Sequence, residues 1–211
     1  MPELPDLRVL ADAFTGALAG RPFEASTVKQ PLVLRGTMAE LRTLEGAELA
    51  RVAQRGKFLT LELGQHRMVV NAMLTGRLGL ARTGAKAFSS TALVLRFGRR
   101  EGLPDGVEPA DWMVGADWLP ADDEPVELRY RDPKKRGKVY VLPAGVEREL
   151  VGLDALGPEA DDPALDLDTW QARIRRHNGE LGNLLKNQEF IAGIGNAYSD
   201  EILWAARVGP F

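Results

Sequence analysis

The sequence predicts an α+β protein in which a leading helix and an antiparallel β-sandwich precede a helical domain. Apolar residues recur every three or four positions between Leu7 and Leu18, which is the period of an amphipathic helix. From residue 22 to about residue 142 this period is lost, and short apolar runs alternate with Gly, Asp and Pro. Helical periodicity returns beyond residue 167. A run of strands followed by a run of helices is typical of α+β folds.

The elements follow in order. The first helix carries Leu7, Leu10, Phe14 and Leu18 on one face, and Gly20 is its expected stop. Five strands are predicted, at residues 58–63, 68–72, 92–97, 126–131 and 138–142, with a helical interruption at 38–44. Residues 98–125 are acidic and rich in Pro and Gly, which indicates a long surface loop without an assigned role.

An acidic, proline-containing stretch around residues 156–163 predicts an interdomain linker. The expected divisions are a sandwich domain with its leading helix at 1–150, a linker at 151–166 and a helical domain at 167–211. Within the helical domain, a first segment ends near residue 176, and a second has its leucines on one face. Gly193 and Gly195 interrupt the helical pattern, and Asn196 is the expected N-cap of the last helix.

Composition excludes several classes of site. The 211 residues contain no cysteine and only two histidines, so disulfides and cysteine- or histidine-rich metal sites are not expected. No apolar run of about 18 residues and no signal peptide is visible, so we expect a cytoplasmic protein without membrane association. The net charge of −3 argues weakly against a nucleic-acid partner, which usually requires a basic face.

The N-terminus is a candidate nucleophile. Met1 precedes a small residue, so its removal would leave Pro2 with a free secondary amine. An α-amino group has a pKa of roughly 7.7–8.0, so part of it is neutral near pH 7 and able to attack an electrophilic carbon. Glu3 is placed to donate or accept a proton. The alternative is that Pro2 only begins a helix whose dipole favours Glu3.

Basic residues are concentrated in four places. These are Arg55-Gly56-Lys57 at a turn, the loop from Lys134 to Lys138, the helical Arg173, Arg175 and Arg176, and the helix N-terminus at Asn196. Taken singly, each is more often a solvated turn or helix face. Jointly they could bind a phosphate backbone, because lysines, arginines and helix N-termini supply most such contacts.

Six motifs carry a resemblance to a known family. They are Pro2-Glu3-Leu4-Pro5, Arg55-Gly56-Lys57, Leu74-Thr75-Gly76-Arg77-Leu78, Asp132-Pro133-Lys134, Leu156-Gly157-Pro158-Glu159 and Phe190-Ile191-Ala192-Gly193-Ile194-Gly195-Asn196-Ala197-Tyr198. Their content and order resemble the formamidopyrimidine-DNA glycosylases and endonuclease VIII-like proteins, and the last motif is similar to the helix-two-turn-helix of that family. The likeness runs along the whole chain.

The resemblance implies a DNA-repair glycosylase that is also an abasic-site lyase acting by β/δ-elimination on damaged double-stranded DNA. Pro2 would attack C1′ and form a Schiff base, Glu3 would transfer protons, and Lys57 would bind phosphate. Asn196 would bind the phosphate beside the lesion, while Leu74 would fill the gap left by the flipped nucleotide. Core packing of Leu74 is the alternative.

Other positions depart from the family pattern. Asn71 stands where a phosphate-contacting His is common, and Lys134 and Arg136 stand where an Arg and a Phe probe the opposite strand. An assignment to 8-oxoguanine opposite cytosine does not follow, because Lys lacks the bidentate fork of Arg. The family usually continues past this point, so the helix-two-turn-helix domain is expected to be incomplete and the chain to be a fragment or a short member.

No cofactor or metal ligand is expected within these residues, since the zinc of the family belongs to a C-terminal finger. The expected protein is a monomer, bacterial in type and nucleoid-associated. Two other readings stay open. One is a non-catalytic DNA-binding module or inactive fragment, which applies if Met1 is retained and blocks the Pro2 nitrogen. The other is a small-molecule-binding β-sandwich, which leaves the helix-two-turn-helix motif unexplained.

Overall fold

The computed structural model describes residues 1–209 and begins with helix α1, Leu4–Leu18. The helix is stabilised at its start by Asp6, whose carboxylate accepts a hydrogen bond of 2.9 Å from the Glu3 N–H. Pro5 is tolerated in the first turn because the amide hydrogens there have no intrahelical acceptor. The chain leaves the helix at Gly20, which has a φ of 78°. The predicted helix and its stop are confirmed.

Two packed β-sheets follow, formed within residues 1–209 by nine strands. Their bounds are β1 Phe23–Val28, β2 Leu34–Arg35, β3 Leu49–Arg55, β4 Phe58–Leu63, β5 His66–Asn71, β6 Arg77–Arg82, β7 Thr91–Phe97, β8 Val126–Arg131 and β9 Lys138–Leu142. One sheet has the order β1-β7-β8-β6 and the other β2-β9-β5-β4-β3. Pairing is antiparallel throughout these described strands except between β2 and β9, which are parallel.

The main core lies between the sheets, and α1 packs against β3. The five predicted strands are confirmed to within two residues, and the α+β class with an antiparallel sandwich is confirmed as well. Sequence periodicity did not indicate β1, β2, β3 or β6. In β1 only Phe23 is fully buried, so the strand lacks the regular apolar pattern from which a strand is predicted. The predicted helix at 38–44 is present as α2, Met38–Arg42.

The acidic segment 98–125 is a loop, as predicted, with a short 3-10 helix at Asp111–Met113. It is held by the fully buried side chain of Arg21. That guanidinium donates to four loop carbonyl groups, those of Gly98 at 2.9 Å, Pro120 at 3.5 Å, Ala121 at 2.7 Å and Glu124 at 2.6 Å. The loop is therefore tied to the sandwich, because a buried guanidinium requires such acceptors.

Three helices form the C-terminal part: α3 Leu167–Ile174, α4 Leu181–Lys186 and α5 Asn196–Ala206. They enclose a second apolar cluster that includes Leu185, Ile191 and Leu203. The expected N-cap at Asn196 is wrong by one residue, since Gly195 is the N-cap and Asn196 begins the helix. The predicted end of this domain at Phe211 lies outside the described residues. Among residues 1–209, no helix is long and apolar enough to cross a membrane.

Candidate active site

Glu3 connects the N-terminus to helix α5. Its side chain is 4 % exposed, and its carboxylate accepts hydrogen bonds from three backbone N–H groups. These belong to Gly195 at 2.6 Å, Ala197 at 3.0 Å and Tyr198 at 3.1 Å. The first N–H groups of a helix have no partner within it, and its dipole favours an anion there. The carboxylate is thus fixed in position by a helix nearly two hundred residues away in sequence.

This arrangement corrects one expectation about Asn196. The free N–H groups of the last helix were predicted to hold a phosphate, but those of Ala197 and Tyr198 bind Glu3 instead. The Asn196 side chain itself is exposed at the surface. A phosphate contact at this helix would therefore come from Asn196 itself and not from the N–H groups of Ala197 and Tyr198.

Two glycines, Gly193 and Gly195, allow the N-terminal residues to pack closely against the start of helix α5. A Cβ atom on Gly195 would lie 2.4 Å from Oε1 of Glu3, and one on Gly193 would lie 2.6 Å from Leu4. Gly193 also has a φ of 96°, which disfavours other residues. Its carbonyl accepts a 3.0 Å hydrogen bond from the Leu4 N–H. The glycines seen in the sequence thus form the turn against which the first residues pack.

Pro2 is half-buried and borders a cavity of about 530 Å³. Asp6, Arg77 and Tyr198 are among the other residues that line it. Met1 lies at the junction with a second cavity of about 400 Å³, since it lines both. In this form Met1 is 39 % exposed and the Pro2 nitrogen is a tertiary amide. Removal of Met1 would free the Pro2 nitrogen beside the first cavity.

The second cavity contains Lys57 and Asn71, together with Met73. Burial lowers the pKa of the Lys57 ammonium, and the nearby Glu3 carboxylate partly opposes this effect. Glu3, Lys57 and Asn71 are therefore brought around the N-terminus from three separate parts of the chain. A partly desolvated ammonium that lines an open cavity is suited to bind an anionic group.

The turn that carries Lys57 is attached to the segment predicted as a linker. Arg55 donates to the Glu159 carboxylate at 2.6 Å and to the Gly157 carbonyl at 2.7 Å. The Gly56 N–H also donates to Glu159, at 2.6 Å. On its other side the segment accepts a 2.7 Å hydrogen bond from the Ala192 N–H. Arg55 is thus engaged within the protein, and Glu159 is a positioning residue that only the contacts reveal.

Leu74 lies on the turn between β5 and β6 and is 55 % exposed. The turn follows Asn71, the last residue of β5, whose side-chain oxygen accepts a 3.0 Å hydrogen bond from the Met73 N–H. Met73 has a φ of 50°, a left-handed conformation that is uncommon for a residue with a side chain. The core alternative for Leu74 is excluded, and an apolar side chain projects into solvent.

Lys134 and Arg136 are exposed on the loop between β8 and β9. This loop lies beside the turn that carries Leu74, because Asn71 pairs with Lys138 in one sheet and Arg77 with Arg131 in the other. Both connections cross from one sheet to the other. Leu74, Lys134 and Arg136 therefore project from two neighbouring loops at the same edge of the sandwich.

Sequence reasoning did not assign roles to Arg77 and Tyr198, although both line the cavity beside Pro2. Each lies within a motif that carried the resemblance, which is the signal that could have pointed to them. Of the helical arginines, Arg173 is used internally and donates to the Phe190 carbonyl. Within residues 1–209, no group of three or more acidic or histidine side chains is placed to hold a metal ion.

Comparison with known proteins decides the family. The sequence model of the formamidopyrimidine-DNA glycosylase N-terminal domain matches residues 1–139, and that of the formamidopyrimidine-DNA glycosylase H2TH domain matches residues 156–211. The chain belongs to the formamidopyrimidine-DNA glycosylase family. The resemblance inferred from the six motifs is confirmed.

Relatives in this family are distant in sequence but similar throughout the chain. The formamidopyrimidine-DNA glycosylase of Moorella thermoacetica is 29 % identical over 213 residues, which cover all of this chain and 69 % of the relative. That of Enterococcus faecalis is 24 % identical over 212 residues, covering all of this chain and 67 % of the relative. The crystal structure of the Lactococcus lactis enzyme, non-covalently bound to DNA containing an AP site, matches with a TM-score of 0.77. That match has 22 % identity and covers 99 % of this chain and 71 % of the other, so it shows the shared fold.

Proposed function

We propose that this protein, once Met1 is removed, is a DNA base-excision glycosylase with abasic-site lyase activity. The observation that carries the proposal is the placement of Pro2. It borders the first cavity, its nitrogen is bonded to the Met1 residue that lines both cavities, and it adjoins a carboxylate held by three backbone N–H groups. The family membership and the names of the relatives support the same activity. The substrate is damaged double-stranded DNA, bound by a monomer.

In the proposed reaction the neutral Pro2 amine attacks C1′ of the damaged nucleotide, and the C1′–base bond breaks. The base leaves with its bonding electrons and takes up a proton, and the Pro2 nitrogen gives up the proton it carried. The C1′–O4′ bond of the sugar then breaks, O4′ takes up a proton, and the nitrogen and C1′ form an iminium. Loss of a proton from C2′ then permits β-elimination of the 3′ phosphate, and δ-elimination of the 5′ phosphate follows. No cofactor within these residues takes part in these steps.

Glu3 is suited to the proton transfers because it is fixed and retains acceptor capacity. A carboxylate has about four lone-pair sites, and three are used by the N–H groups at the start of α5. One site is left for the sugar beside Pro2. A proton-transfer group held at a constant position acts without the cost of orienting it during the reaction.

The DNA contacts follow from the neighbouring surfaces. Lys57 and Asn71 share the second cavity and would bind phosphate beside the reacting sugar, with Asn196 contacting a further phosphate. Chemistry on a base in a duplex requires the nucleotide to be flipped out. The exposed Leu74 would occupy the gap, and Lys134 and Arg136 would contact the opposite strand.

A second candidate function depends on Met1, which is bonded to the Pro2 nitrogen in the encoded chain and lines both cavities. If Met1 is retained in the cell, the Pro2 nitrogen is an amide and cannot form an iminium. The protein would then bind damaged DNA without acting on it.

Borohydride trapping distinguishes the two functions. The intact mass of the purified protein first establishes whether Met1 is present. Protein without Met1 is then incubated with an abasic-site oligonucleotide and borohydride, and the expected product is a crosslink at the Pro2 nitrogen. The same protein acetylated at its N-terminus serves as the control and should not crosslink. A crosslink mapped to Lys57 or another lysine, with the Pro2 amine free, would overturn the proposal.

A further inference from the structure

The carboxylate of Asp132 is the centre of a buried hydrogen-bond cluster beside the two DNA-facing loops. The residue is 0 % exposed. Four donors surround it: the hydroxyl of Thr75 at 2.6 Å, the N–H of Gly137 at 2.7 Å, the hydroxyl of Tyr130 at 3.2 Å and the N–H of Lys134 at 3.2 Å. A carboxylate with four donors has its hydrogen-bonding capacity filled.

Three of these donors come from two different loops, and the fourth, Tyr130, lies on β8. We call residues 72–76 the wedge turn, since it carries Leu74, and residues 132–137 the probe loop, since it carries Lys134 and Arg136. The bonds from Gly137 and Lys134 close the probe loop on itself. Within residues 1–209, the bond between Thr75 and Asp132 is the one hydrogen bond that joins the wedge turn to the probe loop.

Tyr130 keeps the two loops close together. A Cβ atom on Gly76 would lie 2.5 Å from the Tyr130 hydroxyl, and one on Gly137 would lie 1.7 Å from it. Each loop therefore ends in a glycine that packs directly against the same hydroxyl group. Burial, and next the Asp132 charge, raise the pKa of Tyr130, so the hydroxyl remains a proton donor.

The cluster is ionic as well as buried. Burial opposes ionisation of Asp132, but the hydrogen bonds from Thr75, Gly137, Tyr130 and Lys134 outweigh it and lower the pKa of the carboxyl. Removal of one donor leaves a buried charge incompletely paired, which is more costly than the loss of an ordinary hydrogen bond. The geometry around Asp132 therefore depends on the Thr75 hydroxyl.

We propose that Thr75 and Asp132 are positioning residues that lock the wedge turn to the probe loop. Leu74 and Arg136 then enter the duplex together, so that filling the gap and contacting the opposite strand become one event. The inference rests on the proposed function for its DNA partner, but the coupling itself is a property of the free protein. A consequence is that discrimination of the opposite base depends on a threonine whose hydroxyl is engaged with Asp132.

The test compares Thr75→Val, which removes the hydroxyl, with Thr75→Ser, which keeps it. Thr83→Val is the matched control, because the Thr83 hydroxyl donates a 3.0 Å hydrogen bond to Pro125 at the opposite end of β6. Amide hydrogen exchange is measured in the full chain for a peptide covering residues 133–138. Base release is measured on duplexes that differ only in the opposite base, and borohydride trapping is measured on a single-stranded abasic oligonucleotide.

For Thr75→Val we expect exchange in the probe loop to accelerate by about 10- to 100-fold, as loss of a hydrogen bond to a charged group implies. The ratio of base release between favoured and disfavoured opposite bases should fall, while single-stranded trapping stays at the wild-type rate. Thr75→Ser should restore both properties, and Thr83→Val should change neither.

Two results would overturn the inference. One is unchanged exchange at residues 133–138 in Thr75→Val. The other is a loss of single-stranded trapping as large as that of base release, which would indicate general damage to the fold. If the wild-type protein neither releases bases nor traps, the proposed function fails, and the exchange experiment alone then decides whether the two loops are coupled.

Discussion

Replacement of Glu3 by Gln tests the central contact between the N-terminus and helix α5. The substitution keeps the size of the side chain but removes its charge and replaces one acceptor oxygen with an NH₂ group. The remaining oxygen can keep the bonds from Gly195 and Tyr198, both of which bind Oε2. The NH₂ group then faces the Ala197 N–H, so two donors oppose each other where Oε1 accepted a bond of 3.0 Å.

The expected loss of stability follows from one lost hydrogen bond and two weakened ones. Loss of a hydrogen bond to a charged group costs about 1.5–3 kcal/mol, and the two retained bonds weaken because their acceptor is now neutral. The lower cost of burying a neutral side chain offsets part of that weakening. We therefore expect Glu3→Gln to reduce the free energy of unfolding by about 2–3 kcal/mol. In a chain of this size that lowers Tm by about 4–12 °C.

Urea unfolding and calorimetry measure this change, with Glu45→Gln as the control because Glu45 is exposed. At a temperature where both proteins are folded, base release should fall by about 10²–10⁴-fold in Glu3→Gln, because proton transfer is lost. Trapping on a preformed abasic site should fall much less, since the Pro2 amine remains. A stability change no larger than that of Glu45→Gln would show that the three hydrogen bonds from the start of α5 to Glu3 do not stabilise the fold. Equal losses of base release and trapping would contradict the proton-transfer role.

Three further predictions concern the surfaces around Pro2. Leu74→Ala should slow the processing of paired lesions but leave urea unfolding nearly unchanged, whereas a loss of about 2–5 kcal/mol, the size typical of a buried leucine, would contradict the exposed position of Leu74. Arg136→Ala should lower the slope of log affinity against log salt by about 0.9 in DNA titrations, and an unchanged slope would exclude a phosphate contact. Lys57→Met should raise stability at pH 7, because burial lowers the pKa of Lys57 and the unfolded chain holds that proton more tightly. That gain should shrink as pH rises from the lowered folded pKa of Lys57 towards the unfolded pKa of lysine, and urea unfolding at several pH values would show whether it does.

Much of the fold was accessible from local sequence patterns. The helix from Leu4 to Leu18 and strands such as Phe58–Leu63 and Val126–Arg131 have apolar residues at the period of their secondary structure. Strands such as Phe23–Val28 were not predicted, because most of their residues are exposed and do not alternate clearly between apolar and polar. Such strands are defined by pairing with their neighbours in the sheet.

The sequence by itself determined which residue types are available for chemistry: an N-terminal proline, an adjacent glutamate, a lysine on a turn and two glycines before the last helix. Only the tertiary structure decided how they are used. The start of α5 binds Glu3 where a phosphate was expected, Arg55 is committed to Glu159, and Thr75 reaches Asp132 across two loops. Such contacts join residues far apart in the chain, and a buried polar group takes whichever partner the packing brings near. Periodicity and spacing describe only neighbours in sequence, so they carry no information about these pairings.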